Sequence, residues 1–328
     1  MPCDRHPGQD LMPKASTSTA FAAYGFYLLS SAFFASNLLF GRAAAHVVPP
    51  VGLAFWRWVI AFLIILPFAA RGLMLHRRAL LASWKRLLVM GVLGQVVCGA
   101  GLYVALEYTT ATNAGLIYAT CPVMILVIAA LWLGEAVTVR QGAGILLAMS
   151  GVLVILTRGD PEILRRFAFN VGDLMMVGVS AAWAVYTVLA RQSKSPLPVV
   201  TGFAANALVG IVTLVPFFLW ETMARPPAPM TLDTVSRVVG LALFASVLAF
   251  TAYQKTIVLM GPARAGTALY VMPLWTALAA WALLGEELHL FHLAGVALVL
   301  PGLLLATLPP RWGWVAEGQA AVSRSSAA

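Results

Sequence analysis

Charged residues are scarce in this sequence. They make up 10% of the 328 residues, while hydrophobic residues reach 61% at a mean hydropathy of +0.89. Soluble domains average about 25% charged residues. The composition therefore excludes an ordinary soluble protein and predicts a multi-pass membrane protein. The net charge of +9 does not indicate a nucleic-acid partner, because the basic residues are scattered through the loops.

Several chemical signatures are missing as well. The three cysteines give no disulfide framework, and the chain has no G-x4-G-K-[ST] motif for nucleotide phosphates. None of the twelve acidic residues falls at the centre of an apolar run, where proton-coupled carriers usually hold an ionisable group. His289 and His292, with Glu286 and Glu287, form an isolated loop cluster, so a metal enzyme is disfavoured. We expect no cofactor, no metal and no catalytic residue.

Apolar runs long enough to cross a bilayer recur along the chain, and such a run needs about 20 residues. They predict an all-α membrane protein of ten transmembrane helices, at residues 20–41, 51–70, 87–106, 112–133, 141–157, 171–191, 198–220, 238–259, 265–284 and 290–308. Polar tails are expected at 1–19 and 309–328. With ten spans both tails lie on one side, and the side richer in lysine and arginine is usually cytoplasmic. Thirteen basic residues against six predict cytoplasmic termini in a bacterial inner membrane.

The stretch Gly115–Glu135 recurs as Gly266–Glu286, 151 positions later, with a matching glycine, mid-span proline and Leu-Gly-Glu end. Earlier positions match at 149, such as Pro49 with Pro198, and the two extra residues are assigned to the loop between spans seven and eight. The predicted domains are five-helix repeats at 20–157 and 171–308, joined by a linker at 158–170. Because five is odd, the repeats are expected to be inverted around a central cavity, an arrangement typical of alternating-access transporters.

These motifs resemble a known family. The repeated G-x6-P-x11-G-E pattern, the glycine pairs Gly144/Gly151 and Gly295/Gly302, and the sequence GPARAG at 261–266 are similar to EamA-type exporters of the drug/metabolite transporter superfamily. The resemblance covers residues 20–308 and implies a cavity formed mainly by spans 1, 3, 4, 6, 8 and 9. Bacterial aromatic and broad-range amino-acid exporters are the nearest likeness.

Aromatic and polar side chains inside those spans are the candidate cavity residues. An aromatic cavity with a few polar groups suits an amphipathic organic substrate, although core packing or lipid contact explains such residues equally well. Phe250 and Gln254 share this ambiguity. The candidate set is Phe34, Asn37, Gln95, Tyr103, Tyr118, Trp183, Tyr186, Tyr253, Tyr270 and Trp275. Pro122 and Pro273 are predicted to kink their helices and to help form gates.

Other conspicuous residues are given structural roles. Trp56 and Trp58, like most tryptophans here, fall near span ends and are expected to anchor the protein at the interface. Arg57 either attracts a substrate carboxylate or, the favoured interpretation, extends to the outer headgroups. Thr138 and Gln141 predict a capping box at the corner beside Glu135.

The predicted function is outward transport of small amphipathic metabolites, most specifically amino acids including aromatic ones, down a gradient. A multidrug or other metabolite exporter of the same superfamily is the alternative, and a membrane receptor is the non-transport alternative. The expected partners are a small-molecule substrate and the lipid bilayer. The oligomeric state stays open, with a monomer among the options.

Overall fold

The structure is a computed structural model, and it describes residues 17–45, 47–109, 111–165, 169–191, 197–226, 228–284 and 289–308. Within these ranges every regular element is a helix, as predicted. The predicted tail at 309–328 lies outside the described residues. Of the tail at 1–19 only the last three residues are described, and they begin the first helix.

The helices follow the predicted spans closely, with ends that differ by a few residues. In chain order they are α1 (Thr17–Ala45), α2 (Pro50–Leu75), α3 (Trp84–Tyr108), α4a (Ala111–Tyr118), α4b (Cys121–Leu133), α5 (Val139–Leu156), α6 (Val171–Arg191), α7 (Val199–Ala224), α8 (Leu232–Met260), α9a (Pro262–Gly266), α9b (Met272–Leu284) and α10 (Leu290–Thr307). Short turns of helix lie at Arg77–Ala82, Glu162–Arg165 and Thr267–Tyr270.

Eight segments in the described part of the chain are helices long and apolar enough to cross a membrane. They are α2, α3, Asn113–Leu133, α5, α6, α7, α8 and α10. The two remaining predicted spans are α1, which is 29 residues long, and the broken ninth span, whose longest piece α9b has 13 residues. The count of ten membrane spans stays a prediction.

The fourth and ninth spans break at matching places. Helix α4a ends before Thr120 and α4b resumes with Pro122 in its first turn, while Val271 precedes α9b and its Pro273. Proline has no N–H to donate, so it is well suited to a first turn, where that hydrogen is unsatisfied anyway. The two prolines therefore start new helices rather than bend continuous ones.

Helices α3 and α8 each contain a π-helical segment, at Val92–Ala100 and Leu241–Leu248. The two segments begin 149 residues apart, directly after Gly91 and Gly240. The offset between the repeats is therefore still 149 at the start of this segment. The two extra residues come later, and their assignment to the loop between spans seven and eight is wrong.

Two pairs of helices, each made of a helix and its counterpart in the other repeat, pack directly against each other. Glu221, near the end of α7, accepts hydrogen bonds from the backbone N–H groups of Val51 and Gly52 at the start of α2. At the other end of the pair, Gly72 of α2 lies against Thr201 of α7. Helices α5 and α10 pair similarly through their glycines. In both pairs the repeat counterparts run antiparallel.

The first helix of each repeat packs on helices of the other repeat. Helix α1 packs on α8 and α9b, while its counterpart α6 packs on α3, α4a and α4b. Each first helix therefore lies against the third and fourth spans of the opposite repeat. This packing brings side chains from α1, α2, α3, α6, α7 and α8 together in the middle of the molecule.

The corner between α4b and α5 has a structural role, as expected. Gly134 adopts a left-handed conformation (φ 64°) at the end of α4b, where glycine carries no steric penalty. The Thr138 hydroxyl accepts a hydrogen bond from the Gln141 N–H at 3.2 Å. Only this half of the predicted capping box is present.

Candidate functional site

A cluster of buried aromatic rings lies where the central helices meet, and Phe250 of α8 is its hub. Ring centroids 5.0–6.2 Å from that of Phe250 belong to Phe34 of α1, Trp58 of α2, Trp183 and Tyr186 of α6, and Phe203 of α7. Tyr253 joins through Phe34 and Trp183. These spacings are those of attractive aromatic pairs. The cluster draws its rings from both repeats.

Four of the predicted cavity residues, Phe34, Trp183, Tyr186 and Tyr253, meet in this cluster. Trp183 and Tyr186 stack with their ring planes 21° apart and their centroids at 5.4 Å, as their spacing on one face of a helix predicts. Phe250 belongs to the same cluster.

Beside the rings, three residues of the first repeat form a hydrogen-bonded trio. Arg57 Nη1 donates to the Tyr103 hydroxyl at 2.8 Å, and that hydroxyl donates to Asn37 Oδ1 at 2.8 Å. Two predicted cavity residues, Asn37 and Tyr103, are therefore joined by a residue that was expected to reach the headgroups. Arg57 is only 3% exposed, so the headgroup interpretation is wrong. Its side chain turns inward toward Tyr103 rather than along the lipid-facing side of α2.

The second repeat contains an equivalent trio. The Tyr186 hydroxyl accepts from Gln254 Nε2 at 2.9 Å and from Asn206 Nδ2 at 3.4 Å. Tyr186 and Asn206 follow Asn37 and Arg57 by 149 residues, and Gln254 follows Tyr103 by 151, the two offsets of the repeat. The trios thus occupy corresponding positions in the two repeats. One contains a guanidinium and the other contains only neutral groups.

Gln95 lies next to the second trio with its hydrogen-bonding capacity unused. It is fully buried in the π-helical segment of α3 and packs closely on Gly210 of α7. A Cβ atom added to Gly210 would stand 2.4 Å from the Gln95 Cγ atom. Among the described residues, neither amide atom of Gln95 has a hydrogen-bond partner, and Asn206 Oδ1, one helical turn from Gly210, also lacks one. Unpaired buried polar atoms are costly, and such atoms are well suited to meet a ligand.

The other predicted cavity residues lie around the helix breaks. Tyr118 ends α4a and is half-buried, whereas Tyr270, in the turn before α9b, is buried. Trp275 of α9b donates its indole N–H to Ser31 Oγ of α1 at 3.1 Å. These residues pack on the same core as the ring cluster. The structure therefore separates the predicted set into a central group and a group at the breaks.

Two carboxylates connect neighbouring helices at one end of the bundle. Glu107 at the end of α3 forms an ion pair with Arg225, which follows α7, with oxygen–nitrogen distances of 2.5 and 2.9 Å. This hydrogen bond is the main reason that the pKa of Arg225 is raised. Asp173 is buried at the start of α6, where it accepts from Thr109 Oγ1 at 2.5 Å and from the Asn170 N–H at 2.9 Å.

The opposite end holds Glu135, in the loop after α4b. Loss of hydration raises the pKa of Glu135, and the positive charges of Arg191 and Arg264 reduce this increase. Arg191 itself donates to the Val258 carbonyl at 3.0 Å. At this end, arginines of the second repeat therefore lie near a carboxylate of the first.

The described residues contain no group of three or more histidine, cysteine or acidic side chains that could hold a metal ion. His289 and His292 instead cap α10, since His292 Nδ1 accepts from the His289 N–H at 3.1 Å. Glu286 and Glu287 lie outside the described residues. The two histidines are thus explained by the helix that they begin.

Sequence reasoning missed three residues of the site. Trp58 was assigned to the membrane interface but is fully buried in the ring cluster, whereas Trp56 is exposed. Phe203 and Asn206 drew no attention in an apolar span. A usable signal existed in the repeat, because Asn206 stands at the position of Arg57. Two polar residues at one repeat position inside apolar spans indicate a shared site.

Comparisons with known proteins agree with this architecture. Residues 21–157 and 170–308 each match the model of the EamA-like transporter family. An uncharacterized transporter of Archaeoglobus fulgidus is 29% identical, covering 85% of this chain and 95% of its own. The uncharacterized transporter YyaM of Bacillus subtilis is 26% identical, covering 86% and 91%.

A named relative is the S-adenosylmethionine/S-adenosylhomocysteine transporter of Chlamydia trachomatis, which is 21% identical, covering 80% of this chain and 82% of its own. A solved crystal structure, 20% identical, shares the fold with a TM-score of 0.67 and covers 89% of this chain and 96% of that one. Because the family model matches both repeats, the chain belongs to the EamA-like transporter family of the drug/metabolite transporter superfamily and is a multi-pass membrane transporter.

Proposed function

We propose that this transporter exports small amphipathic metabolites, most specifically amino acids including aromatic ones, across a bacterial inner membrane. The observation that carries the proposal is the ring cluster around Phe250, with the unpaired amide of Gln95 and the unpaired Oδ1 atom of Asn206 beside it. Rings supply an apolar surface, and unpaired polar atoms supply hydrogen bonds that fix an orientation. An amino acid with a large side chain presents both kinds of group.

The mechanism that we propose is alternating access by two inverted five-helix repeats. The antiparallel pairing of α2 with α7 and of α5 with α10 supports this arrangement, since a twofold axis in the membrane plane relates antiparallel partners. The breaks before Pro122 and Pro273 lie where α4b and α9b start. A broken helix bends there at low cost, so these breaks are the proposed gates.

Transport is proposed to follow the substrate gradient, with both termini in the cytoplasm. The buried carboxylates Asp173 and Glu221 lie in the end turns of their helices and bind backbone N–H groups. A carboxylate that serves as a cap is poorly placed to carry protons through the middle of a bundle. This assignment supports movement without proton coupling.

Two alternatives have specific support. A different organic metabolite is favoured by the Chlamydia relative, whose name gives S-adenosylmethionine and S-adenosylhomocysteine as its substrates. Both molecules combine an aromatic base with an amino-acid end, so ring and amide groups suit them also. A membrane receptor is the non-transport alternative, since a built site binds ligand whether or not the helices move.

The test uses purified protein in proteoliposomes loaded with radiolabelled tryptophan. Efflux above that of protein-free vesicles, with competition from aromatic amino acids but not from cationic drugs, is the expected result. Competition by the drugs or by S-adenosylmethionine would favour another substrate class, and binding without flux would favour a receptor. Efflux that stops when a proton ionophore is added would contradict gradient-driven transport.

A further inference from the structure

The guanidinium of Arg57 is a buried positive charge without a counter-ion in the described part of the chain. The carboxylates nearest to its end of the bundle are already engaged, because Glu107 pairs with Arg225 and Glu221 binds the start of α2. Asp173 is held by Thr109 and Asn170. Burying an unpaired charge costs far more than burying a neutral polar group.

The surroundings of Arg57 offer donors but no anionic acceptor. The Tyr103 hydroxyl accepts a hydrogen bond from Arg57 and donates its own hydrogen to Asn37. Among the described residues, Arg57 Nε and Trp58 Nε1 are buried N–H groups without acceptors. The Arg57 guanidinium carbon also lies 4.9 Å from the centre of the Trp58 ring, a cation–π contact that stabilises the charge but leaves its hydrogens unused.

The second repeat shows that the fold does not need a charge at this position. Asn206 stands 149 residues after Arg57, and it closes the equivalent trio through the Tyr186 hydroxyl as a neutral side chain. The charge of Arg57 is therefore additional to the structural role that both residues share. Its unpaired Nε–H, together with the unpaired indole N–H of Trp58, points to a ligand that brings the missing negative charge.

We propose that Arg57 and Trp58, with Tyr103 as a positioning residue, form an anion subsite that binds the carboxylate of the transported molecule. Arginine presents a planar fork of donors that matches a carboxylate, and the indole N–H adds one more. Trp58 also touches Phe250, with ring centroids 5.0 Å apart. A carboxylate held here leaves the apolar part of the same molecule against the ring cluster. The inference rests on the proposed transport function and assigns the acidic group of its substrate.

The test compares tryptophan with tryptamine, which lacks only the carboxylate. Binding of both to detergent-purified protein and efflux of both from proteoliposomes are measured for the wild type and for Arg57→Gln. Wild-type protein should prefer tryptophan by roughly tenfold to a hundredfold, as expected for a hydrogen bond to a charged group. Arg57→Gln, which resembles the neutral trio of the second repeat, should reduce this preference to near unity.

Two further variants keep the test independent of folding. Trp58→Phe keeps an aromatic ring and removes the N–H donor, so it should lower the preference severalfold in protein that still folds, as a melting curve in detergent checks. Arg77→Gln removes an exposed arginine outside the bundle and should leave the preference as in the wild type. A tryptophan preference that persists in Arg57→Gln overturns the anion subsite, whatever the efflux rates are.

Other outcomes separate the possible anions. If the wild type binds tryptophan selectively but moves neither compound, the transport proposal fails while the subsite stands. If native mass spectrometry finds an anionic phospholipid on the wild type that Arg57→Gln releases, and the tryptophan preference is unchanged, a lipid phosphate fills the site and the substrate assignment is wrong.

Discussion

Gly144 of α5 lies so close to α10 that a Cβ atom on it would stand 2.6 Å from the carbonyl oxygen of Gly302. The approach recurs about two helical turns away, where a Cβ on Gly151 would stand 2.7 Å from the Gly295 carbonyl. Small residues at such a seam let two helices pack backbone to backbone. This packing assigns the glycine stripe of the repeats to stability.

Gly144→Ala is expected to lower the free energy of unfolding by about 1–3 kcal/mol, the usual cost of overpacking. The clash is with backbone atoms, which cannot rotate away. Gly142→Ala is the matched control, because a Cβ at Gly142 meets no atom within 4 Å, and alanine within a helix gains roughly 0.5–1 kcal/mol over glycine. Melting in detergent, followed by fluorescence, measures both variants. Equal melting temperatures would contradict the close seam.

Gln95→Leu is expected to leave the melting temperature unchanged or to raise it, while reducing efflux. An apolar side chain of similar size removes two unpaired buried polar atoms and their desolvation cost. Gln254→Leu is the control, since it breaks the 2.9 Å hydrogen bond to Tyr186 and should cost about 1 kcal/mol of stability. Full efflux by Gln95→Leu would show that its amide is no part of the substrate path.

Removing a ring from the central cluster is expected to reduce transport without preventing membrane insertion. Trp183→Phe keeps a ring but shortens it, and the loss of one aromatic pair is worth about 0.5–1.5 kcal/mol, or up to roughly tenfold in rate. Trp183→Ala, in the cluster, and Trp275→Ala, at the break in the ninth span, should reduce efflux further. Trp220→Ala, at a position 68% exposed, is the control that should transport normally.

Melting temperatures of the ring variants separate a lost substrate contact from a damaged core, because a Trp→Ala change in a packed core costs about 3–5 kcal/mol. Wild-type efflux by both Trp183→Ala and Trp275→Ala would remove the aromatic path from the proposal.

The ion pair between Glu107 and Arg225 is expected to contribute little to stability, and only at low salt. Both side chains are partly exposed, at 33% and 43%, and exposed ion pairs contribute under about 1 kcal/mol. Glu107→Gln should therefore melt slightly below the wild type in dilute buffer. In roughly 1 M salt, where screening acts within about 3 Å, the two should melt together. A difference that survives high salt would mean that the pair is not screened.

Glu135→Gln is expected to stabilise the protein at neutral pH. Loss of hydration raises the pKa of Glu135 from its ordinary 4.5, so the folded state holds this proton more tightly than the unfolded state does. The penalty for ionised Glu135 is therefore complete above the raised pKa and disappears as the pH falls below 4.5. Melting temperatures of variant and wild type, measured from about pH 4 to pH 8, should differ at the alkaline end and converge at the acidic end. A wild type that is more stable at neutral pH would mean that Arg191 and Arg264 outweigh the loss of hydration.

Much of the fold could be predicted because the residues of a single chain segment determine whether it forms a membrane helix. Apolar length placed α2, α6 and α10 within a few residues, and the mid-span prolines predicted the interruptions at Pro122 and Pro273. Helical spacing also predicted that Trp183 and Tyr186 share a face. Each of these inferences uses residues that are neighbours along one chain segment, so no knowledge of the partner helix was required.

The predictions about Arg57 and Trp58 failed for the complementary reason. Both residues lie near the start of α2, where a tryptophan at the headgroups and an arginine extending to them are the usual pattern. Periodicity says which residues share a face but not which helix covers that face. Here α2 packs on α7, α3 and α8, so the face with Arg57 and Trp58 is covered by Tyr103, Phe203 and Phe250.

The sequence by itself determined that the protein is a helical membrane transporter of two related halves, because hydropathy and duplication are properties of residue order. Only the tertiary structure decided which side chains meet. Hydrogen bonds and ring contacts act over a few ångströms. Here they join residues that are far apart in the sequence, such as Phe34 and Trp183, which are 149 positions apart. The position of a charge relative to its partners depends on this packing, which is why the buried Arg57 emerged from the fold and not from its neighbours in sequence.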